Sequence, residues 1–137
     1  MFDQLVAERN AGQNRRTPML FHTYAHLVPR PSGAGLGFGP WLQPWLLHYG
    51  VPMVDWAALA ARLIDKLADL LQRLVARQQA ADPTGALQVV DTRAAALVQA
   101  GPTDAQEAGD FCNEIHPNHT GYGKLAAVWR AALDPLL

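Results

Sequence analysis

Residues 56 to 79 constrain the fold more than any other stretch. Trp56, Leu59, Ala60, Leu63, Ile64, Leu67, Leu70, Leu71, Leu74 and Val75 recur at the i, i+3, i+4, i+7 spacing of one helix face. Arg62, Asp65, Lys66, Asp69, Arg73 and Arg77 fill the other face. Asp55 stands where an N-cap belongs, and "ADPTGA" at 81–86 breaks the pattern. At 1.5 Å per residue the helix is about 36 Å long. An apolar stripe of that length has to be buried against another element.

Candidates for that element flank the helix. "PMLFHTYA" (18–25) is a short apolar and aromatic run after a proline, and "LQVVDTR" (87–93) is a second apolar run. Both read as buried, parallel-type strands. "FDQLVAERN" predicts a first helix ending at Gly12. It begins without a lead-in, as in a chain that starts part-way through a domain. "PWLQPWLLHYG" (40–50) predicts a short helix with Pro40 in its first turn, Gly50 as its stop and Pro44 limiting its length. Between strand and short helix, "HLVPRPSGAGLGFGP" (26–40) forms a long structured loop of the kind that often carries function. Residues 94 to 109 read as irregular or weakly helical. A final helix runs from about 120 to 133, with Tyr122, Leu125, Ala126, Trp129, Ala132 and Leu133 inward. Helices alternating with strands predict an α/β layer on a parallel sheet. Two strands are few for such a sheet.

The chain has 137 residues, enough for one domain or part of one, and half of them are hydrophobic. A net charge of -1 gives no electrostatic case for nucleic acid or an anionic membrane. The longest apolar stretches are broken by charges, so no membrane span is expected. One cysteine, Cys112, excludes an internal disulfide. "MFDQLVAERNAGQNRR" lacks the apolar core of a signal peptide, and the compartment stays open.

The chemistry-bearing stretch is "DFCNEIHPNHTGYGKLA" (110–126). It follows a predicted strand and precedes a helix, where open α/β sheets bind ligands. A catalytic His needs reach to a nucleophile, an acceptor for its other ring nitrogen and rigid support. His116 has Pro117 after it and Asn113 three residues before it. Asp110 and Glu114 are the other candidate acceptors. A loop histidine that merely caps the last helix is the bland alternative.

"NEIHPNHTGYGKLA" resembles the last conserved block of the SGNH, or GDSL-type, esterases and lipases: Asp-x-x-His-Pro, a short gap, Gly and an aromatic residue, then a helix. "LFHTYAHLVPRPSGAGLGFGPWLQPWL" resembles a strand-and-loop region of a bacterial branch of these hydrolases, and "VVDTR" their last strand. The likeness covers roughly residues 15 to 133. It implies a three-layer, flavodoxin-like fold with a parallel sheet, and ester hydrolysis through an acyl-enzyme without a cofactor. It implies His116 as general base, with Asn113 where the orienting Asp stands and Asp110 as a further candidate. His26 and Tyr24, at the strand's carboxyl end, would face a small acyl-ester substrate.

The departures are specific. The family's Gly-Asp-Ser is absent, and the only serine, Ser32 in "PRPSGAG", has no strand-to-helix elbow around it. "GQN" (12–14) imitates Gly-x-Asn but lacks the Asp that follows, so it reads as a decoy. An amide at 113 does not stabilise an imidazolium as a carboxylate does. The simplest reading is one partial domain over 1–137: the C-terminal half of such a fold, first strands and nucleophile missing, inactive by itself. Two other classes stay open. One is an interaction module or homo-oligomer pairing through the bare edge of strand 18–25. The other is a metal-binding domain using Cys112, His116 and His119. His22 and His26, about 13 Å apart along an extended strand, cannot share a metal.

Overall fold

The computed structural model describes residues 1–15, 17–83 and 85–136. The fold is mixed α/β, with a two-stranded parallel sheet and four α-helices among the described residues. In chain order these are α1 (Phe2–Ala11), β1 (Met19–His22), α2 (Gln43–His48), α3 (Trp56–Ala81), β2 (Leu87–Val90) and α4 (His119–Leu133). Thr84, inside the predicted break after the long helix, lies outside the described residues. No helix is long and apolar enough to cross a membrane among the described residues.

The strands pair from Met19 opposite Leu87 to His22 opposite Val90. Thr23 adds one more bond, its N–H donating to Val90 O at 3.1 Å. β1 is therefore shorter than the predicted 18–25, and β2 shorter than 87–93. The cause is at Asp91, whose side chain accepts from Arg93 N–H and opens a 3-10 turn over Thr92–Ala95. With the partner turning away, Tyr24 to His26 lose their ladder and leave strand geometry.

Two apolar clusters hold the layers. Val6, Val75 and Leu87 join α1, the second half of α3 and the sheet, with Phe2 tilted against Phe21 at 4.8 Å between ring centroids. Leu27, Ala60, Ile64, Ala95, Leu97 and Phe111 join the first half of α3 to the loops, and Leu125 and Val128 of α4 pack onto them. Burying each large side chain there contributes about 1.5–3 kcal/mol.

Several predicted details change. Asp55 makes no capping bond, because a 3-10 turn over Met53–Asp55 runs straight into α3 and leaves Asp55 helical. An N-cap side chain needs an extended backbone to reach back. Pro44 does not limit α2; it lies in its first turn, where a missing N–H costs nothing. Leu63, Leu67 and Leu70 were expected inside but stay 53%, 36% and 46% exposed. α3 buries Trp56, Ala60, Ile64, Ala68 and Val75 instead. Tyr122 and Leu133 of α4 are likewise exposed. Apolar periodicity gives the direction of a face, not the presence of something to cover it.

Candidate active site

The loop before α4 is fixed at both ends. Asp110 N–H donates to Val98 O at 2.9 Å, and its Oδ2 accepts from Val98 N–H and Lys124 Nζ, each at 2.6 Å. Asn118 caps α4, its Oδ1 accepting from Gly121 N–H at 3.0 Å and its amide donating to Gly109 O at 3.0 Å. Asn118 N–H also donates to Asp110 O at 2.8 Å. Gly121 permits this closeness: a Cβ there would collide with Asp110 O and lie 2.8 Å from Pro117 Cβ. The glycine is thus set by packing of helix on loop.

Within that frame Asn113 and His116 form a pair. Asn113 Oδ1 accepts from Ile115 N–H at 3.1 Å, from His116 N–H at 2.9 Å and lies 3.0 Å from His116 Nδ1. Two backbone donors identify that atom as the amide oxygen, since the amide nitrogen cannot accept. His116 Nδ1 is then the donor, and the neutral ring keeps its lone pair on Nε2. Nε2 has no hydrogen-bond partner among the described residues. The indole of Trp41 meets the imidazole edge-on, 5.2 Å between centroids at 81°.

His116 borders a cavity of about 480 Å³ at the carboxyl ends of both strands, with Thr23, Tyr24, Thr92, Phe111, Tyr122 and Trp129 among its walls. Beyond Tyr24 and Ile115 lies a second apolar cavity of about 320 Å³, against Leu63 and Leu67 of α3. The hydroxyls in the first cavity are committed or unsupported. Thr23 Oγ1 donates to Asp91 Oδ1 at 3.1 Å, and Thr92 Oγ1 donates to Thr23 O. Ser32 is buried and absent from the residues lining either cavity.

The other candidates separate. Tyr24 lines both cavities. His26 turns to α3 instead, with Nε2 2.8 Å from Asp65 Oδ1. The strand that would have aimed it at the cavity ends at His22. Asp110 is drawn to Lys124 and Val98, and the lysine holds its carboxyl below the ordinary value. Glu114 is fully buried and accepts four backbone N–H groups, from Arg30, Trp41, Leu42 and Gln43. Cys112 Sγ points at His116 O (3.2 Å) and Pro117 O (3.4 Å). No group of three His, Cys, Asp or Glu among the described residues is placed to hold a metal, which removes support from the reading based on Cys112, His116 and His119.

Sequence reasoning missed Arg30, and it read Trp41 only as one of a group with Trp45 and Trp56 that is core or lines an acyl cleft, not as the neighbour of His116. Arg30, 1% exposed, donates to Asp104 O (2.9 Å), Gln106 O and Phe111 O (3.2 Å), tying the glycine-rich loop to the histidine loop. Burial lowers the affinity of its guanidinium for the proton. No local pattern announces either residue, because their partners lie in distant segments.

Comparison with protein-family models, curated proteins and solved structures gives no match for this chain.

Proposed function

We propose that this chain carries the general base of an SGNH-type ester-hydrolysing site on a three-layer, flavodoxin-like framework, without the serine nucleophile. One observation supports it most: Asn113 Oδ1 lies 3.0 Å from His116 Nδ1, leaving Nε2 as the ring's free acceptor. In the reaction, a hydroxyl attacks the ester carbonyl while His116 Nε2 takes its proton. The imidazolium then returns that proton to the departing alcohol, and water repeats the cycle on the acyl group. Asn113 keeps the ring in the useful tautomer but adds no negative charge. The apolar cavity suits the acyl part of a small ester.

The test uses a short-chain p-nitrophenyl ester, with and without excess methanol as an external nucleophile. Alone, the chain and His116→Ala should both run at background. With methanol, acyl transfer should become faster in the parent chain only. Equal rates with methanol would sink the general-base reading. His116-dependent hydrolysis without methanol would show water, or a hydroxyl that this reading lacks, taking the place of methanol.

A non-catalytic reading is favoured by a different observation. β1 pairs only with β2 among the described residues, and Leu63, Leu67 and Tyr122 stay exposed elsewhere on the surface. Such an edge can accept another strand. A concentration-dependent increase in sedimentation coefficient, abolished by proline at Leu20, would support pairing. A monomer at all concentrations would remove it.

A further inference from the structure

We propose that Glu114 is a positioning residue for His116 and acts through Trp41. The functional meaning rests on His116 being the base, but the geometry does not. Two constraints define an imidazole in space: the direction of one nitrogen and the plane of the ring. Asn113 supplies the first through Nδ1. The second comes from the edge-on indole of Trp41.

Trp41 is itself held from two sides. Its N–H donates to Glu114 Oε2, which also accepts from Leu42 N–H at 2.7 Å, while Glu114 Oε1 accepts from Gln43 N–H at 2.8 Å and Arg30 N–H at 3.2 Å. Behind the indole lies Gly39, with φ at +74°, where a Cβ would come within 2.7 Å of Trp41 Cζ3. Glu114 N–H, meanwhile, donates to Ser32 O at 2.8 Å. One side chain, two residues from His116, thus fastens both ends of the 30–43 loop and sets where the indole stands. A buried acceptor with four donors is costly to disturb, since each abandoned N–H stays unpaired. The indole therefore has a fixed address rather than a rotamer chosen by solvent.

Glu114→Gln keeps the shape but aims an NH2 group at backbone donors. With the ring nitrogens of histidine labelled with 15N, NMR reads the ratio of the two neutral tautomers of His116. In the parent chain the form protonated at Nδ1 should dominate. Glu114→Gln and Trp41→Leu should each reduce that ratio about threefold, the size of one lost aromatic contact. The double variant should go no further than the larger single, because both act on one contact. Unchanged His116 signals in Glu114→Gln, or effects that multiply, would overturn the proposal and leave Glu114 as a loop clamp only. If Glu114→Gln does not fold, Gly39→Ala displaces the same indole with Glu114 intact, and unmoved His116 signals there would overturn it equally. The tautomer ratio does not depend on ester turnover. Coupled His116 signals without methanol-dependent acyl transfer would sink the general-base reading alone; the reverse pattern would sink the positioning role alone.

Discussion

The two sides of His116 are built on opposite plans. Toward the 30–43 loop, polar groups are buried and answered: Arg30, Asn113 and Glu114 are each at most 5% exposed, and no buried side-chain nitrogen or oxygen among the described residues lacks a partner. Toward α3 and α4 the walls are apolar and open, with Leu63, Leu67 and Tyr122 partly in solvent. Hydrogen bonds are directional, so the first side can specify a ring position from within this chain. Apolar contact is not directional, and an open wall accepts whatever covers it. The chain thus fixes the base more firmly than it fixes the shape of the space the base faces.

The sharpest way to break that contrast is Arg30→Met. It keeps the apolar stem and leaves Asp104 O, Gln106 O and Phe111 O short of a donor. The expected loss is about 3 kcal/mol in urea unfolding, from the charge-assisted bonds of a buried guanidinium that are lost together. A loss under about 1 kcal/mol would mean that water reaches this region and that the polar side is not sealed.

Two glycines one turn apart or less provide a smaller and more selective test. Gly121→Ala should destabilise by about 2 kcal/mol, because its Cβ meets backbone that cannot yield. Gly123 has nothing within 4 Å of its notional Cβ. There alanine should stabilise by up to about 1 kcal/mol through helix propensity. Equal effects at both positions would show that α4 does not press on the Asp110 loop.

Acid should act next, and more weakly. The Arg93 hydrogen bond is the main cause holding the Asp91 carboxyl down to about 2, against 3.8 ordinarily. Asp110 is lowered chiefly by Lys124, and Asp65 chiefly by His26. A depressed folded value means the unfolded chain binds more protons in this range. The stabilisation is present above about 4 and is lost as pH falls through about 2. The Asp91 side chain is 36% exposed, so solvent screening keeps the effect below that of either buried substitution. Unfolding followed from pH 5 to pH 2 should show a flatter acid limb in Asp91→Asn than in the parent chain. Identical limbs would mean that the Asp91–Arg93 pair contributes nothing to folding.

The order of elements was legible because each helix and strand announces itself within its own residues. α3 was expected over 56–79 and spans Trp56–Ala81; α4 was expected from about 120 and starts at His119. The Asn113–His116 pair was legible for the same reason, lying three residues apart. The sequence could not show that Glu114 would be claimed by Arg30 and by Trp41 to Gln43, 71 to 84 residues away. Nor could it show where the strands end, since the apolar run of 18–25 continues after its partner has turned at Asp91. His26 was misjudged through that ending: with no strand beneath it, it meets Asp65 on α3.

The last test sharpens the open side. Leu67 lies on α3 in the stripe that periodicity marks as core, yet it is 36% exposed and borders the second cavity. If this wall faces solvent, Leu67→Lys should change stability by less than about 0.5 kcal/mol, because the lysine stem keeps the covered part of the contact while its ammonium reaches water. If a second copy covers it, the same change places an ammonium in an apolar contact. The monomer should then be unaffected while self-association weakens at least tenfold in sedimentation. A large loss of monomer stability would fit neither case. It would mean that the stripe is core after all, and that the difference between the two sides of His116 is smaller than the geometry implies.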